Sequence, residues 1–323
     1  MAPVQLGHGE GAFLAESEGS FIHIWPEPIL FLVTGAALVL VILSAVAHAS
    51  WNFLLKRGAN REIFIWWLLV STGLLLFPLG VVLILLYPIE GLGWWYILGT
   101  IILHVLYFIF LGRGYTHGDL SVVYPIARGM GPALVPILGV LVLDENVSFL
   151  AIIGIAAILL GIYTVYWWGR FADILSNPVK LLWEPGTRYA LLTGLVIAVY
   201  SVWDTVGVRY VNPFLYMYLL SVGTALVLSP YMVKAYGTKM ISMEWERAKG
   251  TIVTSGLLTF LAYGLVLTAL TTSKVSYIAP AREMGIVIGV LLGTLVLKEP
   301  FGKGRLIGAG QIVLGVMLVA LAP

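Results

Sequence analysis

The sequence predicts an all-α polytopic membrane protein whose ten transmembrane helices form a five-plus-five inverted-topology repeat. Three observations carry this. The 323-residue chain is 60% hydrophobic and only 11% charged, whereas soluble domains carry about 25% charged residues. Ten apolar runs reach the roughly 20 residues that a bilayer-spanning helix needs. The sequence also repeats itself: Ala127-Arg128 and Met130-Gly131 return as Ala281-Arg282 and Met284-Gly285, 154 positions later, and Glu145 returns as Glu299. Five is odd, so the second copy must enter the membrane from the opposite face. Inverted repeats place their substrate near the bilayer midplane, often beside broken helices.

The elements follow in order. Residues 1–28 contain Glu10, Glu16, Glu18 and Glu27 but no Lys or Arg. A secretory leader needs a basic start before its apolar core, so this segment reads as a flexible tail, and the triplet Ala45-Val46-Ala47 as a chance match to a cleavage site. The first repeat then covers 29–168 with runs at 30–53, 63–86, 92–112, 120–143 and 148–168. Trp94, Trp95 and Tyr96 open the third run, and Tyr163, Tyr166, Trp167 and Trp168 close the fifth, as interfacial aromatic belts do. The fourth run is interrupted by Pro125, Pro132 and Pro136 and holds a lone charge, Arg128. A connecting loop, 169–188, contains Asn177-Pro178 and Glu184-Pro185-Gly186. The second repeat covers 189–323, with runs at 189–208, 212–233, 251–271, 275–297 and 304–322. In it Trp203-Asp204 lies over Trp51-Asn52, and Thr272-Ser273 over Gly118-Asp119.

These residues carry a family resemblance. The His48-Ala49-Ser50-Trp51-Asn52 motif ends the first span, ten spans divide five and five, and acidic residues (Glu145, Glu299) close the fourth and ninth. Together they resemble the drug/metabolite transporter superfamily, specifically its EamA-type carriers built from two EamA domains. The resemblance covers about residues 30–322. It implies a single-chain carrier working by alternating access, with a central cavity lined mainly by spans 1, 3, 4, 6, 8 and 9. It does not imply a cargo, because one fold serves many solutes.

Arg128 and Arg282 are the first candidates for substrate binding. A charge at mid-helix costs roughly 2.5–3.5 kcal/mol on insertion scales and marks function by default. Arginine stays protonated and presents a planar fork suited to carboxylate or phosphate. Tyr124 shares the face of Arg128. Gly285, Gly289 and Gly293 share that of Arg282, a spacing that permits close helix packing. The bland reading pairs each arginine structurally, Arg282 with Asp204 for instance. Phosphate-translocating relatives that the chain resembles use basic residues on the same two helices, which favours an anion. From their depths in spans that run in opposite directions, the two charges are expected to sit roughly 10 Å apart along the membrane normal, as successive stations.

His48, Trp51 and Asn52 share one helical face, and Tyr200, Trp203 and Asp204 repeat it in the sixth span, so these positions are expected to line the cavity; membrane histidines more often only pack. Asp204 and Glu283 are the acids within spans, and each is a candidate for proton coupling. Glu283 points about 100° away from Arg282 on the helix, so it is not expected to be that arginine's partner. Pro125 and Pro280, close to the two arginines, are expected hinges, since proline frees backbone carbonyls that need other partners.

The sequence expectation is therefore a secondary transporter of a small anionic metabolite bearing a phosphate, phosphonate or carboxylate group. The alternative is an exporter of neutral or cationic amphiphiles with the arginines structural. An intramembrane enzyme on lipid-linked substrates ranks last, because Asp119, Asp144 and Glu145 form no catalytic constellation. No cofactor, metal site or nucleic-acid partner is expected: cysteine is absent, histidines are not clustered, and no phosphate loop occurs. The expected partners are the bilayer, the substrate and protons, with a single chain as the working unit in the cytoplasmic membrane of a bacterium. Fourteen of the 18 Lys and Arg residues fall in odd-numbered connections, against Arg209 and Lys274 in even-numbered ones. The positive-inside rule then places odd connections in the cytoplasm and both termini outside, whereas the family resemblance implies cytoplasmic termini.

Overall fold

The computed structural model describes residues 27–55, 58–118, 120–176, 182–295 and 302–323. Most of the expected tail, the residues Asp119 and Asn177-Pro178, and Glu299 lie outside them. Every regular element among the described residues is a helix: α1 (Glu27–Leu55), α2 (Arg61–Leu75), α3 (Phe77–Leu86), α4 (Leu92–His117), α5 (Leu120–Leu143), α6 (Phe149–Trp167), α7 (Phe171–Leu175), α8 (Pro185–Gly207), α9 (Pro213–Leu270), α10 (Val275–Ala281), α11 (Met284–Leu295) and α12 (Lys303–Ala320).

Eight helical stretches are long and apolar enough to cross a membrane, and the bent pair α2–α3 adds a ninth. The tenth comes from α9. Its 58 residues would span about 87 Å at 1.5 Å each, far more than the roughly 30 Å hydrocarbon core. Gly237 interrupts it with φ 71° and ψ 156°, a conformation that glycine adopts without steric cost. The protein is an all-α integral membrane protein with ten spans.

Local sequence explains most boundaries. The side chain of Asn60 accepts the N–H groups of Glu62 and Ile63 to start α2. Ser148 starts α6 and Asn212 starts α9 in the same way. Such caps satisfy donors that have no partner inside the helix. The second span, expected as one helix over 63–86, is instead bent by 60° between α2 and α3. Pro78 in the first turn of α3 has no N–H to continue the ladder. The expected loop between spans 7 and 8 is instead helical. Ile241, Glu244 and Ala248 recur on one buried face, and Glu244 accepts the N–H groups of Ala59 and Asn60, capping the entry to α2.

The repeat is written into the packing. Gly154 and Gly161 of α6 correspond, at the offset of 154, to Gly308 and Gly315 of α12. A Cβ on Gly154 or Gly161 would fall 2.7 Å from the carbonyl oxygen of Gly315 or Gly308, respectively. The two equivalent helices thus cross antiparallel, backbone against backbone, each glycine opposite the copy of the other. Small residues permit this approach where apolar burial gives no driving force in lipid. The GxxxG face expected at Gly285 and Gly289 is less consequential: Gly285 meets Ala45 and His48 at ordinary contact, and Gly289 faces open space.

The fourth and ninth spans differ although they are copies. Helix α5 stays helical through Pro125, Pro132 and Pro136. The ninth span breaks just after Pro280: Arg282 bonds back to Ile278, but Glu283 bonds to Pro280 and Gly285 to Arg282 in tighter three-residue turns. Helix α5 packs closely on α10 and hardly touches α11. The two spans therefore meet at one membrane face and splay towards the other.

Candidate functional site

A cavity lies between the two repeats. It encloses about 970 Å³ of empty space, including the part continuous with solvent. Its walls come from α1, α2, α4, α5, α8 and the first half of α9. His48, Trp51, Asn52, Tyr107, Tyr124 and Arg128 surround its inner end, and Leu55, Arg61, Glu62, Tyr115 and Tyr231 its outer part. These outer residues sit next to the first, third and seventh connections. A smaller cavity of about 310 Å³ continues past Arg128, walled by Pro132, Tyr200, Ala279, Arg282 and Glu283. Spans 1, 3, 4 and 6 line the larger cavity as the family resemblance implies. Spans 2 and 7 stand where spans 8 and 9 were expected, and span 9 contributes only to the smaller one.

Arg128 is the hinge point between the two spaces and lines both. Its Nη2 donates to Glu283 Oε1 at 3.0 Å, joining α5 of the first repeat to the break in the ninth span. The two side chains are 17% and 6% exposed, so the arginine is the member that faces the cavity. The pair is incompletely satisfied: Arg128 Nε and Glu283 Oε2 are buried without a hydrogen-bond partner. Arg282 lines only the smaller cavity, its guanidinium 5.4 Å from the centre of the Tyr263 ring, a cation–π distance. The arginines thus line two cavities that share the wall at Arg128, with different partners, and Arg282 does not pair with Asp204.

Asp204 lies behind the cavities, fully buried. Its carboxylate accepts the Tyr216 hydroxyl at 2.7 Å and the Tyr263 hydroxyl at 2.5 Å. His104 sits beside this group, held by Thr100 at 3.1 Å and stacked at 4.4 Å on Tyr200. Of the two acids singled out in the sequence, only Glu283 touches the cavity.

The repeated aromatic face divides. His48, Trp51 and Asn52 all line the larger cavity, with the Trp51 indole donating to His48 Nδ1 at 3.3 Å and the Asn52 amide to the His48 carbonyl at 2.8 Å. Tyr200 lines the smaller cavity. Trp203 lines neither: its indole donates to the Tyr96 carbonyl at 2.9 Å and its ring packs on Tyr96 at 5.0 Å. Pro280 precedes the observed break, while Pro125 sits in unbroken helix.

Sequence reasoning passed over Tyr107, Tyr115, Trp66, Glu62 and Tyr231, which complete the cavity wall. A signal existed for one helix: Tyr107, Phe108, Leu111 and Tyr115 of α4 recur at helical spacing. For Tyr263 no such signal existed, because only packing brings it to Asp204 and Arg282.

Comparison with known proteins agrees with this architecture. The model of the EamA-like transporter family matches residues 35–167 and 185–321. A WAT1-related protein of Arabidopsis thaliana is 26% identical over 243 residues, an alignment covering 65% of this chain and 67% of that protein. A solved crystal structure superposes with a TM-score of 0.65 over 91% of this chain and 96% of the other, at 17% sequence identity, and so shares the fold.

Proposed function

The chain belongs to the EamA-like transporter family, and from that premise we propose that it is a secondary carrier of a small organic anion whose carboxylate, phosphate or phosphonate group binds at Arg128. One observation carries this reading: a guanidinium with an unpartnered Nε stands where both cavities meet, inside the membrane and within reach of the larger space. An anion entering there would meet a rigid fork of donors in surroundings of low dielectric, where each charge-assisted hydrogen bond is strengthened. The aromatic wall of Trp51, Trp66, Tyr107 and Tyr124 suits an apolar body attached to that group.

Alternating access supplies the mechanism. Spans 4 and 9, which border the smaller cavity, meet at one face and splay towards the other, and rocking the halves would exchange the two. The charge bias of the connections supports an open end towards the cytoplasm. A second reading, an exporter of neutral or cationic amphiphiles, draws on the Arg128–Glu283 pair as a purely structural tie.

Counterflow in proteoliposomes decides between them. Exchange of a labelled anion that is lost in Arg128→Ala and weakened in Arg282→Ala supports the anion carrier. Exchange of cationic dyes that neither substitution affects would favour the exporter.

A further inference from the structure

Glu283 has no role in the reading so far beyond occupying Arg128. Its position is unusual. It belongs to the second repeat, it starts the helix that follows the break in the ninth span, and its carboxylate reaches across to the first repeat. The contact is a single 3.0 Å hydrogen bond, with one carboxylate oxygen and the guanidinium Nε left without partners. Arginine offers carboxylates a two-point fork, and here one point is used. A free anion with two oxygens on one centre would satisfy more of that fork than Glu283 does.

We propose that Glu283 is a tethered stand-in for the substrate, which the incoming anion displaces from Arg128, and that the displaced carboxylate then takes up a proton from the water-facing cavity. The step rests on the anion reading above. Its charges balance. Before binding, the site holds one guanidinium and one carboxylate. Afterwards it holds the guanidinium, the substrate anion and a neutral carboxyl, so one anion and one proton have entered together. On release the proton leaves Glu283 to the same side as the anion, and the Arg128–Glu283 contact forms again. A displaced Glu283 that kept its charge would be a buried ion without a partner, which the surroundings penalise strongly. Backbone geometry favours the exchange, because Glu283 sits in three-residue turns outside the regular helical ladder and can turn without unwinding a span.

The groups around Glu283 narrow the origin of any pH dependence. Arg128 faces it from α5, Tyr166 from α6 and Tyr200 from α8, with Tyr124 packed on Tyr166. Arg282 flanks it on its own segment, over Tyr263 of α9. Lys303 and Arg305 lie at the start of α12, a helix length away. Among the described residues the rivals in the neutral range are His48 of α1, beside Gly285, and His104 of α4, against Tyr200.

The test uses the full chain in proteoliposomes, with protein-free vesicles as control and glycerate, gluconate and dimethyl phosphate as probes, each a fixed monoanion across the range, at about pH 6 and about pH 8 to bracket the neutral range. For the wild type, uptake of a bound probe is expected to carry protons, read as acidification of the vesicle lumen by an enclosed dye, and binding should weaken at the higher pH. In Glu283→Gln the probe should bind about tenfold tighter at the higher pH, since the competing charge is gone. Exchange should persist, and both acidification and pH dependence should vanish. Glu283→Asp should keep proton movement. Wild-type proton movement is informative even where a variant fails to fold: anion uptake without acidification overturns the coupling. Arg128-dependent binding whose affinity and pH profile are unchanged in Glu283→Gln also overturns it, leaving the anion reading intact. If His48→Gln alone removes the pH dependence, Glu283 is not the proton carrier. If no probe binds the wild type, the anion reading and this coupling fall together.

Discussion

The carboxylate of Glu145 caps the helix that begins beside Ser276: it accepts the Ser276 N–H at 3.0 Å, the Val275 N–H at 2.8 Å and the Ser276 hydroxyl as well. The contact joins the end of the fourth span to the start of the ninth. Chain geometry aims it. Asp144 takes a left-handed φ of 53° after α5, and the Glu145 N–H bonds back to the Gly139 carbonyl. This is a helix-terminating turn that folds the next side chain back over the helix end. Lys274 Nζ donates to the Asn146 carbonyl beside it at 2.8 Å. Spans 4 and 9 are held together here, at the face where they meet.

Removing that cap is expected to open this face. Hydrogen bonds to a charged group contribute about 1.5–3 kcal/mol each, so Glu145→Ala should shift the balance of open and closed forms by about tenfold or more. The chain lacks cysteine, so a single reporter thiol can be placed without background. In Ala279→Cys, modification by an impermeant reagent from the closed face should be slow, and Glu145→Ala should accelerate it. Unchanged reactivity would remove Glu145 from the gate.

Arg128 and Arg282 should be unequal. Arg128 faces the larger cavity and Arg282 only the smaller, over Tyr263. Arg128→Ala is expected to weaken anion binding by about a hundredfold, in the range of a lost charge-assisted pair. Arg128→Lys should recover only part, because lysine has no planar fork. Arg282→Ala should cost less. Binding isotherms on the purified protein measure the order, and equal losses would contradict it.

Asp204 should matter for stability and not for coupling. Its removal in Asp204→Ala leaves the hydroxyls of Tyr216 and Tyr263 unpaired, a loss of about 2–4 kcal/mol. Asp204→Asn, which keeps an acceptor, should lose less. Thermal unfolding in detergent gives the comparison, and transport by Asp204→Asn should keep the wild-type pH profile.

The glycine crossing of α6 and α12 predicts a sharp contrast. Gly161→Ala would force a methyl group to 2.7 Å from the Gly308 carbonyl oxygen, and overpacking of this kind costs about 1–3 kcal/mol. Gly289→Ala meets nothing within 4 Å and should be neutral or slightly stabilising, since alanine favours helix by about 1 kcal/mol over glycine. Melting temperatures of the two variants test this directly.

The charge bias predicts cytoplasmic odd-numbered connections. A reporter cysteine at Arg247, in the seventh connection, should react in inverted but not in right-side-out vesicles if odd connections are cytoplasmic. The reverse result would place the open end of the cavity outside.

Much of the architecture was legible in the chain. Hydropathy marked ten spans because a membrane helix must carry about 20 apolar residues whatever it packs against. The offset between Arg128 and Arg282 revealed the repeat, and the odd count of spans inverted it. His48, Trp51 and Asn52 were readable as one face of span 1, and Tyr124 and Arg128 as one face of span 4, because helical spacing alone sets a shared face. The bend at Pro78 was missed, since proline near a helix start and proline within a span look alike until the neighbours are known. The helical link around Glu244 was missed because its polar sequence fits a loop equally well.

Which groups touch across repeats was not readable at all. The sequence marked Arg128, Arg282, Asp204 and Glu283 as four buried charges and left their pairing open. Only the folded chain decided that Arg128 takes Glu283 and that Asp204 takes two tyrosines. Pairing depends on how far two helices approach and rotate, which no periodicity within one helix encodes. The sequence by itself thus determined the spans, the inverted repeat and the faces. Tertiary packing alone decided the cap by Glu145 and the Arg128–Glu283 contact, because each is a meeting of side chains from separate spans, and it decided that of the two expected hinges Pro280 breaks its span while Pro125 does not.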